Sequence, residues 1–269
     1  MTTPPDTPGT RDRLLDDGTS DALIREEPLV IDIRGQTVVT MRTPGADEDL
    51  AVGFLLSEGV IEKADDIKHL SFTTGVPTEF QADTITVDAK VTNATLQGRL
   101  SRTHEIRSSC GICGMEDIED MLEGLLPLLG GIPQFDPKIT TDLLHHLQTA
   151  QTHFAATGGS HGAAIFGPDA QPWAIAEDVG RHNALDKAIG ATARNGHDLT
   201  HSMALLSGRA GCDLVLKCLR MRIPVILSIS AASSLSFDLC KAAGATLVGF
   251  LRPERMKIYL SGGRILKVE

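Results

Sequence analysis

The sequence predicts an α/β protein: a mixed, largely parallel sheet in the carboxyl-terminal half, preceded by a smaller α+β subdomain. Two observations carry this. From Met203 onward short apolar runs alternate with helical stripes. Strand starts there fall about 20 residues apart, the spacing of parallel strands joined by helical crossovers. Before residue 126 the pattern is a hairpin, one helix and an alternating strand. The chain has 269 residues, 42% of them hydrophobic and 22% charged, which are values of a globular protein.

Residues 1–22 are rich in Thr, Pro and Asp and predict a disordered tail. Residues 23–125 form the predicted amino-terminal subdomain. Leu29–Ile33 and Val38–Met41 flank Arg34-Gly35-Gln36 and read as a β-hairpin. Asp47–Glu58 reads as a helix striped by Leu50, Ala51, Phe54 and Leu55 and stopped by Gly59. Thr84–Asp88 alternates as a strand, and a short helix is expected near Glu116–Leu125. Residues 126–137, with three prolines and two glycines, mark an internal boundary. The α/β domain is then 138–269. Thr141–Phe154 predicts one helix, Ala163–Phe166 and Trp173–Ala176 predict strands, and Asn183–Thr192 a helix. Met203–Leu206, Val225–Ile229 and Ala245–Phe250 predict strands, separated by helices over Cys212–Arg220 and Leu235–Ala243.

The net charge of −10 argues against a non-specific nucleic-acid binder. The charge is uneven: residues 209–269 carry a balance of +6 and the remainder −16. A basic segment in an acidic chain suggests a local anion site, with a solvated basic face as the alternative. Five cysteines are too few for a disulfide framework and point to a reducing compartment. No apolar run approaches membrane-spanning length. The expectation is a cytoplasmic protein with neither a membrane nor a nucleic-acid partner.

Cys110-Gly111-Ile112-Cys113-Gly114 is the most informative motif. Arg102, His104 and Arg107 precede it; Glu116, Asp117, Glu119 and Asp120 follow, as in the first turn of a helix. A thiol at a helix start beside arginines ionises more readily, and the thiolate is the nucleophile. The spacing alone is compatible with redox exchange, sulfur transfer, zinc binding or a disulfide. No structural metal is expected, because no second cysteine pair is suitably spaced and zinc would need scattered histidines. Cys218 shares a helix face with Leu214 and Val215 and reads as a small buried hydrophobe.

Ser207–Gly211, Ser230–Ser234 and Phe250–Arg255 each follow a predicted strand. In open α/β sheets, ligands bind beyond the carboxyl ends of the strands, and helix amino termini there receive phosphate. None of these loops matches a P-loop or a dinucleotide fingerprint. Ser160 and His161, in a glycine-rich turn, and Arg181, His182 and Arg209 are either pocket residues or structural. No G-x-S-x-G elbow is present to make Ser160 a hydrolase nucleophile.

Taken in order, Glu58-Gly59, Cys110–Gly114, Thr157-Gly-Gly-Ser-His-Gly162, Glu177–Lys187, Ser207-Gly-Arg209, Ile229–Ser234 and Gly249–Arg252 resemble the formate dehydrogenase accessory sulfurtransferase (sulfur carrier FdhD) family. These matches cover nearly all of residues 25–265. The resemblance implies a cytidine-deaminase-like α/β domain and a homodimer. It implies a sulfurtransferase that takes sulfane sulfur from a cysteine desulfurase as a cysteine persulfide. The sulfur passes to the molybdenum cofactor, bis(molybdopterin guanine dinucleotide), bound as substrate, before insertion into the formate dehydrogenase catalytic subunit. The persulfide maps to Cys110, with Cys113 resolving or assisting. The cofactor-binding segment maps to Phe250, Leu251, Arg252, Pro253, Glu254 and Arg255. Phe250 then packs on a base or fills core. The deaminase zinc signature is absent, since Ile106–Ser109 precede the pair and no proline abuts it. A thiol–disulfide oxidoreductase and a non-catalytic cofactor chaperone are the competing classes.

Overall fold

The structure, a computed structural model, describes residues 9–76, 81–91, 121, 125, 127–128, 130–253 and 255–266. Strands β1 (Thr10–Leu14) and β2 (Ser20–Ile24) form an antiparallel ribbon. The expected disordered tail of 1–22 is therefore corrected over residues 10–22. Turn chemistry rather than apolar patterning makes this ribbon. Asp17 accepts bonds from the Thr19 amide and hydroxyl, Gly18 takes φ 81°, and the Arg25 amide closes onto the Gly9 carbonyl.

Strands β3 (Glu27–Ile33), β4 (Gln36–Arg42), β5 (Ile67–Thr73) and β6 (Asp83–Ala89) make a four-stranded sheet in the order β4-β3-β6-β5. Helix α1 (Asp47–Ser57) follows β4. Arg34 and Gly35 take the positive φ values that the hairpin turn needs. β5 has no strand signature in the sequence because a register shift between Ile67 and His69 breaks its alternation.

In the second half, α2 (Thr140–Ala150) and α3 (Thr152–Thr157) replace the single helix predicted over 141–154. The break is at Gln151 (φ −80°, ψ 67°), which is buried beneath Gly162. A Cβ on that glycine would come within 2.8 Å of the Gln151 side chain. Then follow β7 (His161–Phe166), β8 (Pro172–Asp178), α4 (Arg181–Arg194), β9 (Met203–Leu206) and α5 (Cys212–Arg220). β10 (Val225–Ser228), α6 (Ser234–Ala243), β11 (Thr246–Arg252) and β12 (Arg255–Leu260) complete the order. The six-stranded sheet runs β12-β11-β10-β9-β7-β8. It is mixed, and its parallel pairings are confined to β9, β10 and β11.

The two sheets share one apolar core. Leu50, Leu55, Ile31 and Ile85 from the first half join Leu185, Ile189, Leu206 and Ile226 from the second. α1 and α4 cross at backbone contact. A Cβ on Gly53 would lie 1.8 Å from the Asp186 carbonyl oxygen, and one on Gly190 would lie 1.9 Å from that of Asp49. Beside the crossing, the buried Lys217 ammonium is held 2.9 Å from Asp186 and 2.8 Å from Glu58, and it donates to Ser57 Oγ. Burial pulls the Lys217 pKa down, but Asp186 and Glu58 outweigh it and hold the ammonium charged. Arg220 adds a second cation 3.2 Å from Glu58.

Gly53→Ala and Gly190→Ala are each expected to destabilise the protein by about 3 kcal/mol or more, through overpacking against backbone that cannot yield. Gly130→Ala, where a Cβ meets open space, should change stability by under about 0.5 kcal/mol. Urea unfolding midpoints check both.

Candidate functional site

One edge of the six-stranded sheet gathers most of the polar motifs. The registers Ser228↔Leu206 and Leu227↔Val248 bring the carboxyl ends of β9, β10 and β11 to the same edge. Ala163↔Leu206 and His161↔Asp178 place the start of β7 and the end of β8 there too. The loops that leave β9 and β10 are bonded to each other and to the last residues of strand β11. The Ala210 amide donates to the Ala231 carbonyl (3.0 Å), Ser228 Oγ to the Gly208 carbonyl (2.7 Å) and the Phe250 amide to the Ser230 carbonyl (2.9 Å). Helices α4, α5 and α6 all begin at this edge. Gly180 and Gly211 at the first two starts supply no side-chain cap. Uncapped helix starts leave N–H groups and a positive dipole end facing the edge, which favours anions.

The acidic and basic run of residues 177–187 is mostly turned inward. Asp178 is fully buried and accepts bonds from the Thr43 amide (3.1 Å), the Gly180 amide (2.8 Å) and Asn183 (3.2 Å). Lys187 pairs with it at 2.7 Å and donates to the Thr43 carbonyl at 2.7 Å. Glu177 accepts from the His153 and Phe154 amides at the start of α3 and from Ser160 Oγ (2.6 Å). These groups fix the edge and are not free to bind a ligand. Only Arg181 and His182 of the run turn toward the loops. Both bond to Asp213 in the first turn of α5, Arg181 at 2.9 Å. Burial pushes the Asp213 carboxyl up, but His182 and Arg181 outweigh it and hold it well below its ordinary value. His161 is half-buried against Gly208, where a Cβ would lie 3.5 Å from Nδ1. Burial first, then the charges of Arg181 and His182, draw its pKa below the usual histidine value.

The FdhD/NarQ family model matches residues 24–266. The chain belongs to that family. It is 41% identical over 258 residues to the sulfur carrier protein FdhD of Anaeromyxobacter dehalogenans strain 2CP-C, covering 91% of this chain and 88% of the relative. It is 40% identical over 257 residues to the protein of the same name from Mycobacterium tuberculosis strain H37Rv, covering 91% and 92%. A crystal structure described as a formate dehydrogenase accessory protein from Desulfotalea psychrophila superposes with a TM-score of 0.73 at 26% identity, over 96% of this chain and 98% of that one.

Against this FdhD/NarQ frame the sequence-predicted residues separate. Cys110, Cys113 and Glu254, with the helix expected near 116–125 save Met121 and Leu125, lie outside the described residues. Phe250 is not core: its ring is 45% exposed at the end of β11, with φ 49°. Leu251 is fully buried, while Arg252, Pro253 and Arg255 are exposed. Arg252 Nη1 donates to the Ile229 (2.6 Å) and Leu251 (2.7 Å) carbonyls, tying β11 to the loop after β10. Ser160 is buried on Glu177, so it does not face the edge as a nucleophile. Cys218 and Cys240 are buried; burial pushes the Cys240 thiol up to about 12 and Cys218 higher still. Among the described residues no group of three or more His, Cys, Asp or Glu is arranged to hold a metal ion. No helix among them is long and apolar enough to cross a membrane.

Asp213 went unread in the sequence. Its only signal is an acid in the first turn of a helix whose start carries Gly211, a position equally suited to simple helix stabilisation. Because its folded pKa is depressed, its contribution to stability is full above its unfolded value of about 3.8 and is lost as pH falls below it. Asp213→Asn should therefore flatten the acid limb of stability below about pH 4. At pH 7 it should cost about 1–3 kcal/mol by removing the anion that Arg181 and His182 share. Thermal melts from pH 3 to 7 check both expectations.

Proposed function

We propose that the protein is a sulfur carrier that loads sulfane sulfur as a persulfide and delivers it to a bound molybdenum cofactor. Family membership with about 40% identity to proteins named sulfur carriers carries the reading. The printed description of the structural relative ties that role to formate dehydrogenase. The larger sheet, mixed and with helix starts gathered at one edge, is consistent with a cytidine-deaminase-like domain.

In the proposed cycle a desulfurase persulfide gives its terminal sulfur to the Cys110 thiolate and is left as a thiolate itself. Cys113 then attacks the inner sulfur of the Cys110 persulfide. The S–S bond breaks with its electron pair on the terminal sulfur, which leaves as sulfide, and Cys110 and Cys113 close a disulfide. Incubation with a desulfurase and cysteine should raise the intact mass by one sulfur, reversibly with reductant. Cys110→Ala should abolish the gain; the same gain retained at Cys113 would reverse the two roles.

The substrate, bis(molybdopterin guanine dinucleotide), fits the chemistry of the sheet edge: three helix starts, glycine and serine loops, and exposed Arg209, Arg252 and Arg255. Arginine forks match phosphate oxygens, and the exposed Phe250 ring offers a face to a guanine. Arg255→Ala, or Arg252→Ala, is expected to weaken a guanosine diphosphate probe about ten- to a hundredfold, while Cys110→Ala leaves binding unchanged. Calorimetric titration decides this, and full affinity in the double arginine variant would move the phosphates to Arg181, His182 and Arg209.

A further inference from the structure

The first turn of α5 carries an anion of the protein's own in surroundings equipped to hold a foreign one. Asp213 Oδ2 receives two groups from the first turn of α4, Arg181 Nη2 at 2.9 Å and His182 Nε2. Asp213 Oδ1 accepts from the Leu214 amide at 2.9 Å. The carboxylate is folded back over Gly211, where a Cβ would lie 2.5 Å from Oδ1. Gly211 has no side chain to cap α5, so the Asp213 carboxylate stands against the positive end of that helix. A guanidinium fork, an imidazole and a helix amide around one oxyanion are donors with which proteins bind phosphate.

Two features set this contact apart from the ion pairs of the frame. Asp178 with Lys187, and Lys217 with Asp186 and Glu58, have every member buried. Arg181 by contrast keeps 44% of its side chain exposed, so a ligand can reach the cation that holds Asp213. The carboxylate turns about two side-chain torsions, and its departure is a change of rotamer. The contact also lies where the strand-end loops meet. Burial first, and then the charges of Arg181 and His182, lower the pKa of His161 at the start of β7. The same imidazole stands against Gly208 in the loop after β9, 3.5 Å from where a Cβ would lie.

We propose that Arg181 and His182 form a phosphoryl subsite that Asp213 occupies in the free protein and yields to a phosphate-bearing ligand. The inference rests on the reading that such a ligand binds the strand-end edge, and it adds an internal competitor to that site. Asp213 keeps the two cationic side chains oriented until the ligand arrives. A phosphoryl group brings more charge and more acceptor oxygens than a carboxylate. It can therefore take both side chains and the helix amide together. Affinity is then the difference between the two anions, which selects a phosphoryl group over a ligand that offers only a carboxylate.

Calorimetric titration of the full-length protein with inorganic pyrophosphate tests this, with thermal melts to show that each variant is folded. Asp213→Asn should bind pyrophosphate about 10-fold more tightly than the wild type. Asp213→Ser, which also drops the charge but can still bond the helix amide, should show the same gain. With Arg181→Ala in the background, the gain from Asp213→Asn should shrink below about threefold. Asp238→Asn removes an exposed acid from the neighbouring helix α6 and should leave affinity within about twofold of the wild type. An equal gain from Asp238→Asn would make the effect one of net charge and overturn the proposal. So would wild-type affinity in both Asp213 variants, or an undiminished gain without Arg181. Guanosine diphosphate separates this inference from the reading beneath it. Binding that is lost with Arg252 and Arg255 yet indifferent to Asp213 keeps the edge as the nucleotide site and removes the competitor. No binding of either probe by any folded variant removes the edge as an anion site and this inference with it.

Discussion

The position of α4 depends on one steric constraint, the contact of its backbone with α1 at Gly190 and Gly53. Helices in proteins usually keep their axes about 8–10 Å apart because side chains intervene. Here two glycines remove the side chains and let carbonyl oxygens fill the space. The contact sets how deep α4 lies between the two sheets. It thereby sets where its first turn, with Arg181 and His182, meets the strand ends. The buried Lys217 beside it, held by Asp186 on α4 and Glu58 after α1, joins α5 to the same crossing. Breaking such a pair is costly because the remaining charges stay buried. The network therefore works more as a register between α1, α4 and α5 than as a source of net stability.

A second consequence concerns the charged run of residues 177–187. A density of acids and bases at a strand-to-helix junction reads as ligand chemistry. Most of it instead holds the junction together: Asp178 and Lys187 satisfy the Thr43 backbone, which belongs to the segment after β4. The helix start is thus tied to the first half of the chain by buried, fully partnered polar groups. Such groups specify one arrangement where apolar packing alone would tolerate several. The ligand-facing share is left to a few side chains on a frame that cannot shift easily.

Much of the fold was legible because its elements follow simple periods. β3, β4, β6, β9, β10 and β11, and α1, α4, α5 and α6, stand within a few residues of where the apolar pattern put them. What the pattern could not show had a tertiary or local cause. β5 loses its alternation to a bulge, β1 and β2 depend on a turn, and Gln151 interrupts a helix where its side chain fills the space that Gly162 leaves. β12, Arg255–Leu260, was hidden by reading Arg255 as the end of a ligand loop. At the site, the meeting of three strand ends was legible from strand order. The partnership of Asp213 with Arg181 and His182 was not, since the residues are about 30 apart and nothing local links them. Phe250 shows the same limit: the sequence leaves it either core or a ring for a base, and only the structure shows it exposed, at positive φ.

The proposed placement of a guanine nucleotide at the strand-end edge is tested most directly by a crystal structure of the protein with guanosine diphosphate. Density for the diphosphate is expected over the loops Ser207–Gly211 and Ser230–Ser234, with the base near Phe250. A nucleotide bound at the opposite edge of the sheet, where β9 and β10 begin, would contradict the assignment.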